Sequence, residues 1–251
     1  MQCEIKSNGL RLSGYLARPP APVDVPTPGL VLCHGFPAGP GGAATSGQTY
    51  PELAERLAAD TGWAVLAFNF RGAGASEGDF SLAGWLDDLR AATDHLIASD
   101  GVSGVWLLGS GTGGALAICH TGEDDRVRGV ATLSARADFS DWADDPGRFL
   151  DHARAIGVIP DRDFPADPEA WGRELQAIRP TELIGKIPPR PILLVHGAQD
   201  EVVPLQDARV LADAAVDAVE LRVLAEAGHR LRHDPRAVAL VIGWMERQAD
   251  R

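Results

Sequence analysis

The chain has 251 residues, 45% of them hydrophobic and 23% charged, with 28 Gly and 18 Pro, which excludes intrinsic disorder and collagen-like structure. Its formal net charge is -12, with 23 basic residues scattered among 35 acidic ones, so a polyanion meets a repulsive field and nucleic acid is excluded as an expected partner. Cys3, Cys33 and Cys119 form no C-x-x-C pair, so neither a disulfide framework nor a zinc cage is expected, and a reducing cytoplasm is the simplest compartment.

The opening residues, MQCEIKSNGLRLSGYL, lack a basic segment followed by an apolar core, and the run Ala237 to Ile242 is far too short for a bilayer. Neither export nor membrane insertion is predicted. Leu10 to Ala17 alternates polar and apolar residues, as an antiparallel strand does, and the Pro-rich turn Pro19 to Pro28 follows it. The pattern then changes to near-continuous apolar runs at Gly29–Cys33, Trp63–Phe68, Val105–Leu108, Val130–Leu133 and Ile192–Val195, the mark of strands buried on both faces. Leu221 to Leu224 closes the set.

Helical patterns lie between these runs. Leu82 to Ala98 puts Leu82, Leu86, Leu89, Thr93 and Leu96 on one face, and the last helix opens with Asp234 as N-cap and Pro235 at its first position. The alternation predicts an α/β fold: a single domain over 1–251 with a mostly parallel, doubly wound sheet of about eight strands. Residues 136–189, rich in Asp, Pro and Trp, separate two strands by more than a crossover needs, and are expected to form a short helical cap with helices near Gly147–Ile156 and Pro168–Ile178.

In open parallel sheets ligands bind beyond the carboxyl ends of the strands. Four loops there carry chemistry: His34-Gly35-Phe36 with the flexible segment to Gly42, Phe70 to Gly78 (FRGAGASEG), Gly109-Ser110-Gly111-Thr112-Gly113-Gly114, and the pair His196 to Asp200 (HGAQD) and Ala227-Gly228-His229. In this order they resemble the α/β-hydrolase family over nearly the whole chain from about Leu10, most closely the small esterase and serine-peptidase-like branch that includes feruloyl and cinnamoyl esterases. The resemblance implies an oxyanion loop at HGF, an acid at Asp200, a histidine at His229, and N–H donors at Phe36 and Thr112 forming an oxyanion hole.

One residue departs from that pattern. The family's nucleophile elbow reads G-x-S-x-G, and its third place is here Gly111. Ser110 comes one position too early, and on so sharp a turn its side chain is expected to point away from His229. A serine also suffers strain at the elbow's positive φ, on the order of 1 kcal/mol or more, which glycine relieves.

Other signals have plainer readings. His34 and His196, each beside Gly at a strand end, suit loop-holding hydrogen bonds, although His34, Gly35, Ser110 and Trp142 also stand as candidates to line a substrate site. His95, His120 and His152 fall in helical patterns and are expected to face solvent, with no metal-ligand spacing. Asp138, Asp141, Asp144 and Asp145 lack the glycine and terminal Glu of a calcium loop and read as a solvated cap surface. Trp142, Phe149, Phe164 and Trp171 suit cap core or pocket wall equally. Gly109, Gly111 and Gly114 also satisfy G-x-G-x-x-G, but the following strand ends at Ala135 with no acid for a ribose, so no dinucleotide and no other cofactor or metal is expected.

Two functions follow. In one, His229 and Asp200 act on a small ester-like carbonyl substrate without a serine nucleophile; in the other, a catalytically silent pocket binds a small acyl or aromatic ligand or a protein partner. Ordinary serine catalysis ranks behind both, and the oligomeric state is not encoded legibly.

Overall fold

Asn8 and Gly9, at φ 47° and 85°, form a two-residue hairpin that joins β1 (Gln2–Ser7) to β2 (Leu10–Ala17) in antiparallel register. Both residues have the positive φ that such tight hairpin turns require. In this computed structural model residues 1–19, 26–215 and 219–249 are described, so most of the Pro-rich turn expected from Pro19 to Pro28 lies outside the described residues.

The sheet has eight strands in the order β1-β2-β4-β3-β5-β6-β7-β8. The remaining strands are β3 (Thr27–Cys33), β4 (Ala64–Phe68), β5 (Val102–Ser110), β6 (Val127–Leu133), β7 (Ile192–Gly197) and β8 (Val219–Leu224). From β4 onward in that order every pair is parallel, while β2 meets β4 antiparallel. This order differs from the 3-2-1-4-5-6 arrangement of dinucleotide-binding sheets. Every residue of β4 and β7 is buried, which explains their unbroken apolar sequences; the edge strand β8 is half-exposed and carries Glu220 and Arg222.

Helices cover both faces. The first are α1 (Gly42–Thr45), α2 (Tyr50–Thr61), α3 (Leu82–Ile97) and α4 (Thr112–Glu123). Helix α3 is capped by the Ser81 hydroxyl, which accepts from the Gly84 N–H at 3.0 Å, and buries Leu82, Leu86, Leu89, Thr93 and Leu96 as their spacing predicts. The segment between β6 and β7, expected from sequence to form a cap, contains α5 (Ser140–Ala143), α6 (Pro146–Ile156), α7 (Pro168–Ala177) and α8 (Pro180–Leu183). Asp145 and Asp167 cap α6 and α7, each with Pro at the first helical position, so local chemistry fixes both starts. Helices α9 (Leu205–Ala214) and α10 (Pro235–Ala249) complete the chain. Helices α2 and α10 pack on one face around Leu57, Trp63, Val241 and Trp244; α3, α4 and α9 share the other core with the cap.

His120 departs from expectation. It is buried on α4, with Nε2 3.1 Å from the Thr93 hydroxyl, because α4 is enclosed by sheet, α3 and α8 rather than facing solvent. Burial pushes its pKa down to about 4. His95 is half-buried and His152 exposed. Among the described residues no helix is long and apolar enough to cross a membrane.

Candidate active site

The elbow between β5 and α4 is held by close backbone approach. A Cβ on Gly109 would lie 2.4 Å from the Gly113 carbonyl oxygen, and one on Gly113 would lie 2.3 Å from that of His34, so neither position admits a side chain. Gly111 differs. Its backbone sits at φ 52°, ψ -119°, yet a Cβ there would meet nothing closer than His229 Cε1 at 3.6 Å and Nε2 at 3.7 Å. Only conformation favours glycine at this place, and the space beside it opens on the imidazole.

His229 stands beyond the end of β8 and Asp200 beyond the end of β7, brought together by the parallel pairing of those strands. His229 Nδ1–H donates to Asp200 Oδ2 at 3.0 Å, with the imidazole 31% exposed and the carboxylate fully buried. Burial works to raise the Asp200 pKa, but hydrogen bonds from His229 and from the Val203 and Val202 N–H groups, both 2.9 Å from Oδ1, hold it at about 2. The carboxylate is therefore a fixed anion that orients the ring and leaves Nε2 facing Gly111.

The Phe36 and Thr112 N–H groups belong to the two loops that border Gly111, and among the described residues neither donates to a protein acceptor. Thr112 is the first residue of α4, so its N–H also benefits from the positive end of the helix dipole. Gly35 is held against the elbow: a Cβ on it would meet the Ser110 carbonyl oxygen at 3.1 Å.

His34 faces this site but is committed to holding it. Its Nε2 accepts from the Phe70 N–H at 3.1 Å and its Nδ1–H donates to the Gly35 carbonyl at 2.8 Å. Burial depresses its pKa to about 4, so the ring is neutral and ties the HGF loop to the turn after β4. His196 similarly donates from Nε2 to the Val203 carbonyl at 2.9 Å and braces the Asp200 loop. The Ser110 hydroxyl is buried without a hydrogen-bond partner. Trp142 belongs to the cap core rather than to the wall around Gly111: it stacks on Phe149 at 4.0 Å and leans on the Phe36 ring at 5.1 Å. Asp138, Asp141, Asp144 and Asp145 are exposed, and no group of three or more potential metal ligands occurs among the described residues.

Gly111, His229, Gly35 and Ser110 open on a cavity of about 370 Å³. A larger cleft of about 630 Å³ lies at the amino ends of the strands, by Val102 and Pro191, away from all of these groups. Two further charged features stand in the region. Arg71, in the turn after β4, makes a bidentate pair with the fully buried Asp88 of α3, at 2.7 Å for Nη2 to Oδ1. Arg232, three residues past His229, reaches the cavity, its guanidinium carbon 5.3 Å from the centre of the Tyr50 ring. The sequence signal for it was HRLRH, a basic cluster in an acidic chain.

Comparison with known proteins agrees with the fold. A family model described as alpha/beta hydrolase fold matches residues 28–156. The uncharacterized protein YfhR of Escherichia coli O157:H7 is 28% identical over 167 residues, 66% of this chain and 52% of the relative, so the chain spans about half the length of the curated relatives it matches. Among solved structures, Est1E from Butyrivibrio proteoclasticus with ferulic acid bound superposes with a TM-score of 0.75 at 23% identity, covering 98% of this chain and 97% of that one. GrgF from Penicillium sp. sh18, an alpha/beta hydrolase, gives 0.77 at 19% identity, covering 100% and 99%. The esterase domain of a Rhodothermus marinus protein gives 0.71 at 24% identity, covering 99% and 97%. From the match over half its length, the shared fold and the arrangement of its loops, the chain belongs to the alpha/beta hydrolase fold family.

Proposed function

We propose that this protein hydrolyses a small ester-like substrate with the His229–Asp200 dyad acting on water, without a covalent serine intermediate. The observation that carries the reading is the open space beside Gly111, bounded by His229 Nε2 where an elbow side chain would project. A water there lies within reach of Nε2 and of a carbonyl carbon whose oxygen points to the N–H groups of Phe36 and Thr112. Nε2 takes a proton from the water as its oxygen bonds to the carbonyl carbon, and the carbonyl electron pair moves onto the oxyanion. When the tetrahedral species collapses, the C–O bond to the leaving group breaks and the imidazolium returns the proton to the departing alkoxide. Asp200 keeps Nδ1 protonated throughout and stabilises the imidazolium.

Such a site has catalytic means of its own. One oxyanion donor contributes about 2.7–4 kcal/mol in acyl-transfer enzymes, and hydrolases stripped of their triads still exceed water by roughly a thousandfold. The esterase neighbours favour an acyl substrate.

The test is a screen of short esters, thioesters and lactones with the unmodified chain, read by product release and in parallel by thermal shift. Turnover that disappears in His229→Ala with affinity nearly unchanged is the expected result. Ligands that stabilise the chain without any product would instead establish the silent binding pocket, and turnover surviving His229→Ala would place the chemistry elsewhere.

A further inference from the structure

Among the described residues Arg232 has no acidic partner; its guanidinium lies over the Tyr50 ring, with the carbon 5.3 Å from the ring centre. Among the described residues it forms no ion pair and no hydrogen bond, and its Nε is buried without an acceptor. Glu52 of α2 borders an adjoining cleft with it but makes no ion pair to it. The Arg232 Nε–H is costly to bury without an acceptor, because it forfeits its bond to water. The imbalance extends through the cavity. Its lining includes two arginines, Arg230 at the exposed rim and Arg232 within, and no aspartate or glutamate, in a chain whose net charge is -12. The Ser110 hydroxyl, buried beside the Tyr50 phenol but outside strict hydrogen-bond geometry, lines the same cavity.

The geometry points to a carboxylate-bearing acyl ligand, whose free carboxylate is held by Arg232 with help from Ser110 while its reacting carbonyl lies at Gly111. A single inner cation matches a monoanion, and the planar guanidinium fork matches a carboxylate in two-point contact. The volume of about 370 Å³ suits a small molecule. The Arg232 charge is already felt at neighbouring groups, adding to the burial that depresses the His34 pKa. This inference rests on the proposed action at Gly111 only for where the carbonyl lies; recognition of the carboxylate is independent of turnover.

The probes are the monomethyl esters of succinate, glutarate and adipate, each paired with its dimethyl ester, titrated calorimetrically into the full chain. At least one monomethyl ester is expected to bind about tenfold or more tightly than its neutral partner, the scale of a charged hydrogen bond. Arg232→Met should erase that preference and Arg232→Lys should keep part of it, with thermal melts reporting folding; if both variants fail to fold, the wild-type pairs still decide. Equal affinity within every pair, no binding by any monomethyl ester, or a preference that survives Arg232→Met would overturn the inference. Methanol release is read in the same samples. Hydrolysis without charge preference would sink this inference and leave the proposed reaction standing, whereas charge-dependent binding without methanol would support the inference and remove the reaction.

Discussion

Gly111→Ser is the most informative single change in this molecule. A Cβ at that position meets His229 Cε1 at 3.6 Å and Nε2 at 3.7 Å, ordinary van der Waals distances, so no neighbour has to move. One bond further, the hydroxyl comes within the roughly 2.6–3.2 Å hydrogen-bond reach that a nucleophile and its base require. The cost is conformational. At φ 52° a side chain is strained by about 1 kcal/mol, which lowers the melting temperature of a chain this size by about 2–4 °C. The return is chemical. Removing the serine from an evolved triad costs about a millionfold in kcat, and an untuned site that recovers part of this should gain at least about 100-fold in p-nitrophenyl acetate hydrolysis. Gly111→Ala is the control, with the same expected fall in melting temperature and no gain in rate. The variant should also be labelled by a fluorophosphonate probe at position 111, whereas the native chain should not, and combination with His229→Ala should abolish both signals. If Gly111→Ser melts like Gly111→Ala yet is neither labelled nor active, His229, Asp200 and the N–H donors do not form the assembly described above.

Three further outcomes are expected. His34 and His120, each lowered by burial from 6.5 to about 4, are neutral when folded; their contribution is complete above about pH 6.5 and is lost as pH falls toward 4, by roughly 3 kcal/mol each. Urea unfolding between pH 7.5 and pH 4.5 should show this loss, and His120→Leu should reduce it by about half; a flat profile would contradict the burial. Arg71→Met leaves the fully buried Asp88 carboxylate unpaired and should cost about 3–5 kcal/mol in urea unfolding, most of it restored by Asp88→Leu in the same chain. Gly113→Ala should lose at least about 3 kcal/mol or fail to fold, since its Cβ would sit 2.3 Å from the His34 carbonyl oxygen; a mild effect would mean that the elbow is looser than described.

The parts of the fold that sequence exposes are those where one period or one cap dominates. Strands β3 to β7 are apolar along most of their length because both faces are covered, and α6 and α7 announce themselves through Asp-Pro starts. Strand β1 carries no apolar run because four of the six residues in QCEIKS are polar, although Asn8-Gly9 is the local sign of a hairpin. His120 misled because helical spacing alone does not tell which helix has neighbours on every side. At the site, Asp200 and His229 were legible from Gly-flanked turns at strand ends. Arg232 shows only as part of the basic HRLRH cluster, and the Arg71–Asp88 pair not at all, since a contact between residues of distant elements leaves no local pattern.

The steric cage of the elbow is built by Gly109 and Gly113 and by the backbone of the HGF loop, none of which depends on what stands at position 111. A glycine codon of the GGC or GGT type becomes a serine codon by one base change. Where the codon is of that type, a serine reaches position 111 by one mutation, without first reshaping the turn. Gain or loss of a side chain at the elbow then needs no second substitution, so residue 111 alone is a poor guide to kinship within the alpha/beta hydrolase fold family.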